Sequence, residues 1–163
     1  MDSSKVYCGR DGWATFITLM DAESREIVGC RFSCQGRAIE AIDAMAQHFI
    51  RIYSTLKAPQ GLLLRSDNAS VFLARDFIRT AKRLNITQEF IRKYSPKYNG
   101  GIERFFRTLK QDCVCLNRFQ PFEDVESTIS KWIEYCNEEG LHSSLGYLTP
   151  KEWRKQFYLP LAA

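Results

Sequence analysis

The chain has 163 residues, 45% apolar and 26% charged, with a net charge of +4. That length is one domain's worth and enough to bury a core, and the balance excludes a disordered or fibrous chain. No apolar run approaches a membrane span and no signal-peptide pattern opens the chain, so a cytoplasmic protein without a membrane partner is expected.

Met1 to Cys8 reads as a short strand closed by the turn Gly9-Arg10-Asp11-Gly12. Trp13 to Met20 is rich in aromatic and β-branched residues and predicts a strand. Asp21 to Ser24 turns it, and Arg25 to Ser33 returns as a third strand, so the chain opens as an antiparallel meander. Ala38 to Tyr53 carries Ile39, Ile42, Met45, Phe49 and Ile52 at helical spacing. Gly61 to Arg65 predicts a fourth strand, and Val71 to Leu84 one helix with Asn68 or Ser70 as N-cap. A short fifth strand falls within Asn85 to Ile91. A long helix from Ile102, another from Glu123 to about Glu138, and a last one opened by Thr149-Pro150-Lys151-Glu152 complete the chain. Three meandering strands followed by β-α-β-α predict an α/β domain, a mixed five-stranded sheet flanked by helices. One domain over 1–163 is expected, with a helical tail from about 122.

The charge is unevenly placed. Residues 91–110 hold Arg92, Lys93, Lys97, Arg104, Arg107 and Lys110 against Glu103 alone, which points to a polyanionic partner. The loop before Gly100 mixes cations and aromatics: Lys93 and Lys97 can reach phosphates, and Tyr94 or Tyr98 can stack on a splayed base. The six cysteines form no C-x-x-C pair and have only His48 and His142 for company. A zinc site is therefore not expected, and several cysteines read as small buried hydrophobes in a reducing compartment.

The chemistry concentrates between residues 61 and 110. The apolar run Gly61-Leu62-Leu63-Leu64 stops at Arg65-Ser66-Asp67-Asn68, as a buried strand does where its end opens onto a site. After Asn99-Gly100-Gly101 a helix begins with Glu103 in its first turn, 35 residues beyond Asp67. One carboxylate at a strand end and one in a helix's first turn suit joint ligation of a hard divalent cation. At about 100° per residue, Glu103, Arg107, Lys110 and Val114 share one stripe, while Ile102, Phe105, Phe106, Leu109 and Cys113 share a core-facing one. Alone, this is an ordinary amphipathic helix with a surface Glu103–Arg107 pair.

It does not stand alone. Ser66-Asp67-Asn68, the 35-residue spacing, Tyr98-Asn99-Gly100, Glu103-Arg104-Phe105-Phe106, Lys110 seven residues after the Glu, and His142-Ser143-Ser144-Leu145-Gly146-Tyr147 with Thr149-Pro150 resemble the catalytic core of retroviral integrases and bacterial insertion-sequence transposases. The resemblance covers nearly the whole chain and implies a ribonuclease H-like fold. It implies a metal-dependent polynucleotidyl transferase that cleaves DNA ends and joins them by strand transfer. The third carboxylate is then Asp2, in Asp2-Ser3-Ser4 and 65 residues before Asp67, rather than Asp11 or Asp21. Asp2, Asp67 and Glu103 would hold two Mg²⁺ or Mn²⁺ ions about 3.5–4 Å apart. Lys93, Lys97, Tyr98, Arg104, Arg107 and Lys110 would contact DNA. Mobile-element ends and target DNA are the implied partners, with the chain at least a dimer. Two departures stand out: Ala69 replaces the usual Gly after Asp-Asn, and Gly140-Leu141 replaces the usual Arg-Pro before His142, which reads as structural. No DNA-end-binding domain is recognisable, so a piece of a longer transposase is expected. The competing readings are a catalytically degenerate DNA-binding or dimerisation remnant, and a ribonuclease H-like nuclease.

Overall fold

A computed structural model describes residues 1–53, 58–59, 61–91, 100–117, 119 and 121–157. The sheet is built outward from β2 (Trp13–Met20), whose residues 14 to 19 are all buried. Alternation sends Phe16 to one face and Ile17 to the other, so both faces of this strand must be covered. β1 (Asp2–Tyr7) pairs antiparallel with β2, placing Asp2 opposite Thr18 and Tyr7 opposite Trp13. β3 (Ile27–Ser33) pairs on the other side, with Phe16 opposite Phe32.

β3 starts two residues later than its sequence pattern suggests. The Asp21 carboxylate accepts hydrogen bonds from the backbone of Glu23 (3.1 Å) and Ser24 (2.7 Å) and from the Ser24 hydroxyl (2.8 Å). This closes a tight turn that leaves Arg25 at φ 62°, and pairing resumes only at Ile27.

The helix α1 (Ala38–Tyr53) crosses the sheet with Ala41, Ala44, Met45 and Phe49 buried, while Ile39 of the expected apolar face stays 50% exposed. The close crossing depends on Gly29, where a Cβ would lie 2.2 Å from the Ala44 carbonyl oxygen. β4 (Leu63–Ser66) and β5 (Thr87–Phe90) form a parallel pair. Between them the single helix expected over 71–84 is two, α2 (Ser70–Leu73) and α3 (Arg75–Arg83), separated at Ala74 with ψ 137°. Phe72 and Phe77 are both fully buried and meet edge to face at 5.5 Å. Five residues apart on one continuous helix they would point about 140° apart, so the break lets both enter the core.

On the opposite face, α4 (Gly100–Leu109) runs into a π-helical turn over 110–114, closed by Cys115 N–H to the Lys110 carbonyl at 2.8 Å. α5 (Phe122–Glu138) and α6 (Pro150–Phe157) follow. α6 opens with a reciprocal capping box: Thr149 N–H and hydroxyl donate to the Glu152 carboxylate (2.9 Å each), and Glu152 N–H donates to Thr149 Oγ1 (3.2 Å).

The result is two cores on the two faces of the strands. One gathers Ile17, Leu19, Val28, Met45, Phe49, Leu64, Phe72 and Phe77 beneath α1, α2 and α3. The other gathers Phe16, Phe32, Ile102, Phe106, Leu109, Val125 and Ile129 beneath α4 and α5. The α/β class is as expected from the chain. The five strands, however, fall into a three-stranded ladder β1-β2-β3 and a two-stranded ladder β4-β5. Met1 N donates to the Arg65 carbonyl at 2.6 Å across the join.

Candidate active site

Asp67 stands at the first position beyond β4, half-buried, where the strand's hydrogen-bonding ends. Its Oδ1 accepts Ala69 N–H at 3.1 Å, an Asx turn that fixes the carboxylate while the chain swings into α2. The residues expected to cap that helix do not: the N-cap is Ala69, without a side-chain cap. Asn68 instead donates to the Ile91 carbonyl at 2.9 Å and ties the ends of β4 and β5 together. Ala69 sits at φ −62°, a conformation open to any L-residue, so the departure from Gly costs nothing there.

Asp2 opens β1, half-buried, with Oδ1 accepting its neighbour Ser3 N–H at 2.7 Å. The amine of Met1, hydrogen-bonded to the Arg65 carbonyl, lies within electrostatic reach of both acids. Burial lowers its pKa to about 6, and the carboxylates of Asp2 and Asp67 both lie near enough to oppose that shift. The other early carboxylates are committed to turns and caps. Asp21 closes the β2–β3 turn, and Asp11 Oδ2 accepts Phe122 N–H at 2.7 Å, at the start of α5.

Glu103 lies on the exposed side of the first turn of α4, with Arg104, Arg107 and Lys110 exposed on the same helix and its π-helical extension. Ile102, Phe106 and Leu109 anchor the opposite side, as the stripe predicted, and Phe105 is half-buried against Trp132 at 5.8 Å. Val114 departs from its expected place. The wider π turn rotates it off the Glu103 stripe, and it packs against the core. Lys93, Lys97 and Tyr98 lie outside the described residues.

Two observations bear on a divalent cation. The donor set is oxygen-only and anionic, which suits Mg²⁺ or Mn²⁺. Two buried hydroxyls flank the acids without a hydrogen-bond partner among the described residues: Thr18 Oγ1, across the ladder from Asp2, and Ser66 Oγ, next to Asp67. The side chains therefore fit a hydrated cation in kind. Among the described residues no three acidic, histidine or cysteine side chains are already drawn together around one point.

Sequence reasoning missed Arg25 in this neighbourhood and read His142 as structural. Arg25, in the β2–β3 turn, reaches across to α4, where its Nη1 lies 2.5 Å from the position a Cβ on Gly101 would take. His142, held by its N–H to the Leu148 carbonyl at 3.1 Å, has its pKa lowered by burial and by the charges of Arg25 and Arg104. Behind them a cavity of about 250 Å³ runs between the two ladders, bounded by Met1, Leu64, Met45, Phe49, Arg25 and Gly101.

Two models of the integrase core domain match the chain, one over residues 1–96 and one over residues 84–150. The chain is 30% identical over 137 residues to an uncharacterized protein of insertion element IS136 from Agrobacterium fabrum, covering 83% of this chain and 70% of that one. It is 33% identical over 98 residues to the putative transposase InsK for insertion sequence element IS150 of Escherichia coli, covering 60% of this chain and 35% of InsK. In fold it resembles the catalytic core domain of BIV integrase, with a TM-score of 0.70 at 20% identity over 99% of this chain and 97% of that one. With matches that together run from the first strand to the start of the last helix, the chain belongs to the integrase core domain family.

Proposed function

We infer that this domain is a metal-dependent polynucleotidyl transferase that breaks and rejoins DNA phosphodiesters in transposition. The observation that carries the reading is the join between the two ladders: Met1 N donates to the Arg65 carbonyl at 2.6 Å, which sets the start of β1, with Asp2, beside the end of β4, with Asp67. Family membership supports the same reaction class.

Integrase core domains are in general divalent-metal dependent. Here Asp2, Asp67 and Glu103 would hold the metal, as two Mg²⁺ or Mn²⁺ ions. When bound, it supplies Lewis-acid activation of a water or DNA 3′-hydroxyl and neutralises charge on the leaving oxygen. The chain's own part is positional. The Asx turn at Asp67 presets one carboxylate. The buried side of α4 locks the helix, so that Glu103 and the cations beyond it face outward together. Arg104, Arg107 and Lys110 set the DNA backbone along that helix, with Lys93, Lys97 and Tyr98 of the preceding loop completing the contact. Mobile-element ends and target DNA are the substrates, acted on by at least a dimer. No helix among the described residues is long and apolar enough to cross a membrane, in keeping with a cytoplasmic enzyme working on DNA.

The test is Mn²⁺-dependent cleavage and strand transfer on oligonucleotide duplexes, with Asp67→Asn and Glu103→Gln compared with the unaltered protein. Each variant should lose activity by at least about 10²–10³-fold with an unchanged circular dichroism spectrum. Full activity in Asp67→Asn would overturn the assignment. DNA binding without metal-dependent cleavage in any variant would favour the degenerate DNA-binding reading.

A further inference from the structure

We propose that Arg25, Arg104 and His142 form a phosphodiester-binding site at the N-terminal end of α4, holding the DNA backbone beside Glu103. The inference rests on the proposed DNA chemistry and adds Arg25, which neither motif nor charge run singles out, and His142, which the sequence reads as structural.

Three separate chain segments build the site. Arg25 comes from the β2–β3 turn, Arg104 from the second turn of α4, and His142 from the short bridge, His142 to Leu148, between α5 and α6. The Arg25 guanidinium lies against the backbone of Gly101, so close that a Cβ there would stand 2.5 Å from Nη1 and 2.8 Å from the Met20 methyl. Gly101 thus leaves room for the cation at the helix end, where the free backbone N–H groups and the helix dipole already favour an anion.

Such a gathering is unfavourable by itself. Among the described residues neither Arg25 nor Arg104 is held in an ion pair. The nearby charges that perturb His142 are both cationic, Arg25 and Arg104. Two guanidiniums, an imidazole and a helix N-terminus outnumber the one carboxylate of that helix turn, Glu103, and a phosphodiester brought from outside completes the balance. Guanidinium groups bind the paired oxygens of a phosphodiester well.

The backbone of Arg25 points the same way. A long side chain at φ 62° is strained, and Gly or Asn would sit there more comfortably. The turn closed by Asp21 imposes that conformation and so fixes where the Arg25 side chain leaves the chain, toward the start of α4.

The experiment measures binding of a fluorescein-labelled duplex oligonucleotide by anisotropy, in EDTA and across a salt series, with Tm recorded for every variant. Arg25→Ala should weaken binding about tenfold and lower the slope of log K against log salt by about 0.9. Arg25→Gly relieves the turn, so its Tm should hold or rise while binding falls as in Arg25→Ala. Gly101→Ala keeps every charge but pushes the guanidinium away, and should lose part of the affinity with little change in Tm. In parallel, the His142 imidazole signals, followed by NMR, should shift on adding inorganic phosphate, and shift less in Arg25→Ala. Unchanged affinity and salt slope in Arg25→Ala, or Arg25 variants that only lose Tm, would overturn the site. If Asp67→Asn abolishes cleavage while Arg25→Ala binds normally, the transferase reading stands and this site falls. If Arg25 carries duplex binding but no metal-dependent cleavage is found, the site stands and the transferase reading falls.

Discussion

Asn137 is the residue whose role is least visible in the chain and most consequential for the fold. It is 8% exposed near the end of α5, and its amide pairs with the backbone of Ile27 twice: Oδ1 accepts Ile27 N–H at 2.9 Å, and Nδ2 donates to the Ile27 carbonyl at 3.0 Å. Ile27 is where β3 resumes after the strained turn at Arg25. Asn137 therefore fastens the second core to the strand beside the proposed phosphodiester site. Asn137→Ala leaves a buried N–H and a buried C=O without partners and should cost about 2–3 kcal/mol in urea unfolding. Asn137→Asp should be no better, since a carboxylate can accept from Ile27 but not donate to its carbonyl. A loss below about 0.5 kcal/mol would mean that water satisfies Ile27 as well as the amide does. At this scale legibility divides by sequence distance. Asp67 and Glu103 stood out because neighbouring residues frame them: an apolar run that stops, a glycine break, a helix start. Asn137 and Arg25 did not, because their partners come from remote segments and no local pattern records such a meeting.

Among the elements, α4 shows how far periodicity reaches. The apolar stripe Ile102, Phe106, Leu109 and Cys113 is buried, and Glu103, Arg104, Arg107 and Lys110 are exposed. The two sides should answer differently to substitution. Lys110→Ala removes an exposed cation, so stability should change by less than about 0.5 kcal/mol. DNA affinity should fall with a salt slope shallower by about 0.9, because a phosphate contact carries no sequence information. Phe106→Ala, in the second core and edge-on to Phe16 at 6.1 Å, should instead cost about 3–5 kcal/mol of stability. An unaltered salt slope in Lys110→Ala would remove it from the DNA contact. Periodicity stops informing at the π turn, where an inserted residue rotates Val114 inward, and at Ala74, where packing of Phe72 and Phe77 breaks a helix that the pattern alone continues. Both are tertiary outcomes imposed on good helical sequence. The meander, α1 and α5 were readable because each carries its own apolar face.

For the molecule as a whole, the decisive feature is that the proposed metal ligands sit on separately built parts. Asp2 belongs to the three-stranded ladder, Asp67 follows the two-stranded one, and Glu103 rides on a helix over the second core. The ladders meet through Met1 N and the Arg65 carbonyl and through side chains of the first core. The three-stranded part is the stiffer, since β2 is buried on both faces and paired on both edges. β5 is four residues long with no residue fully buried, and it is paired to β4 on one edge. Hydrogen exchange should accordingly be slowest in 13–20, and faster in 63–66 and 87–90 through opening that leaves the three-stranded ladder intact. A cation shared by Asp2, Asp67 and Glu103 binds only when the parts are closed on one another, so it stabilises the closed form by about 1.4 kcal/mol at ten times its Kd. Exchange measured with and without Mn²⁺ should then slow in 63–66, in 87–90 and in the first turns of α4 together, with little change in 13–20. Asp67→Asn should abolish that protection in all three segments. Protection confined to one segment, or surviving Asp67→Asn, would mean that the carboxylates do not act as one site.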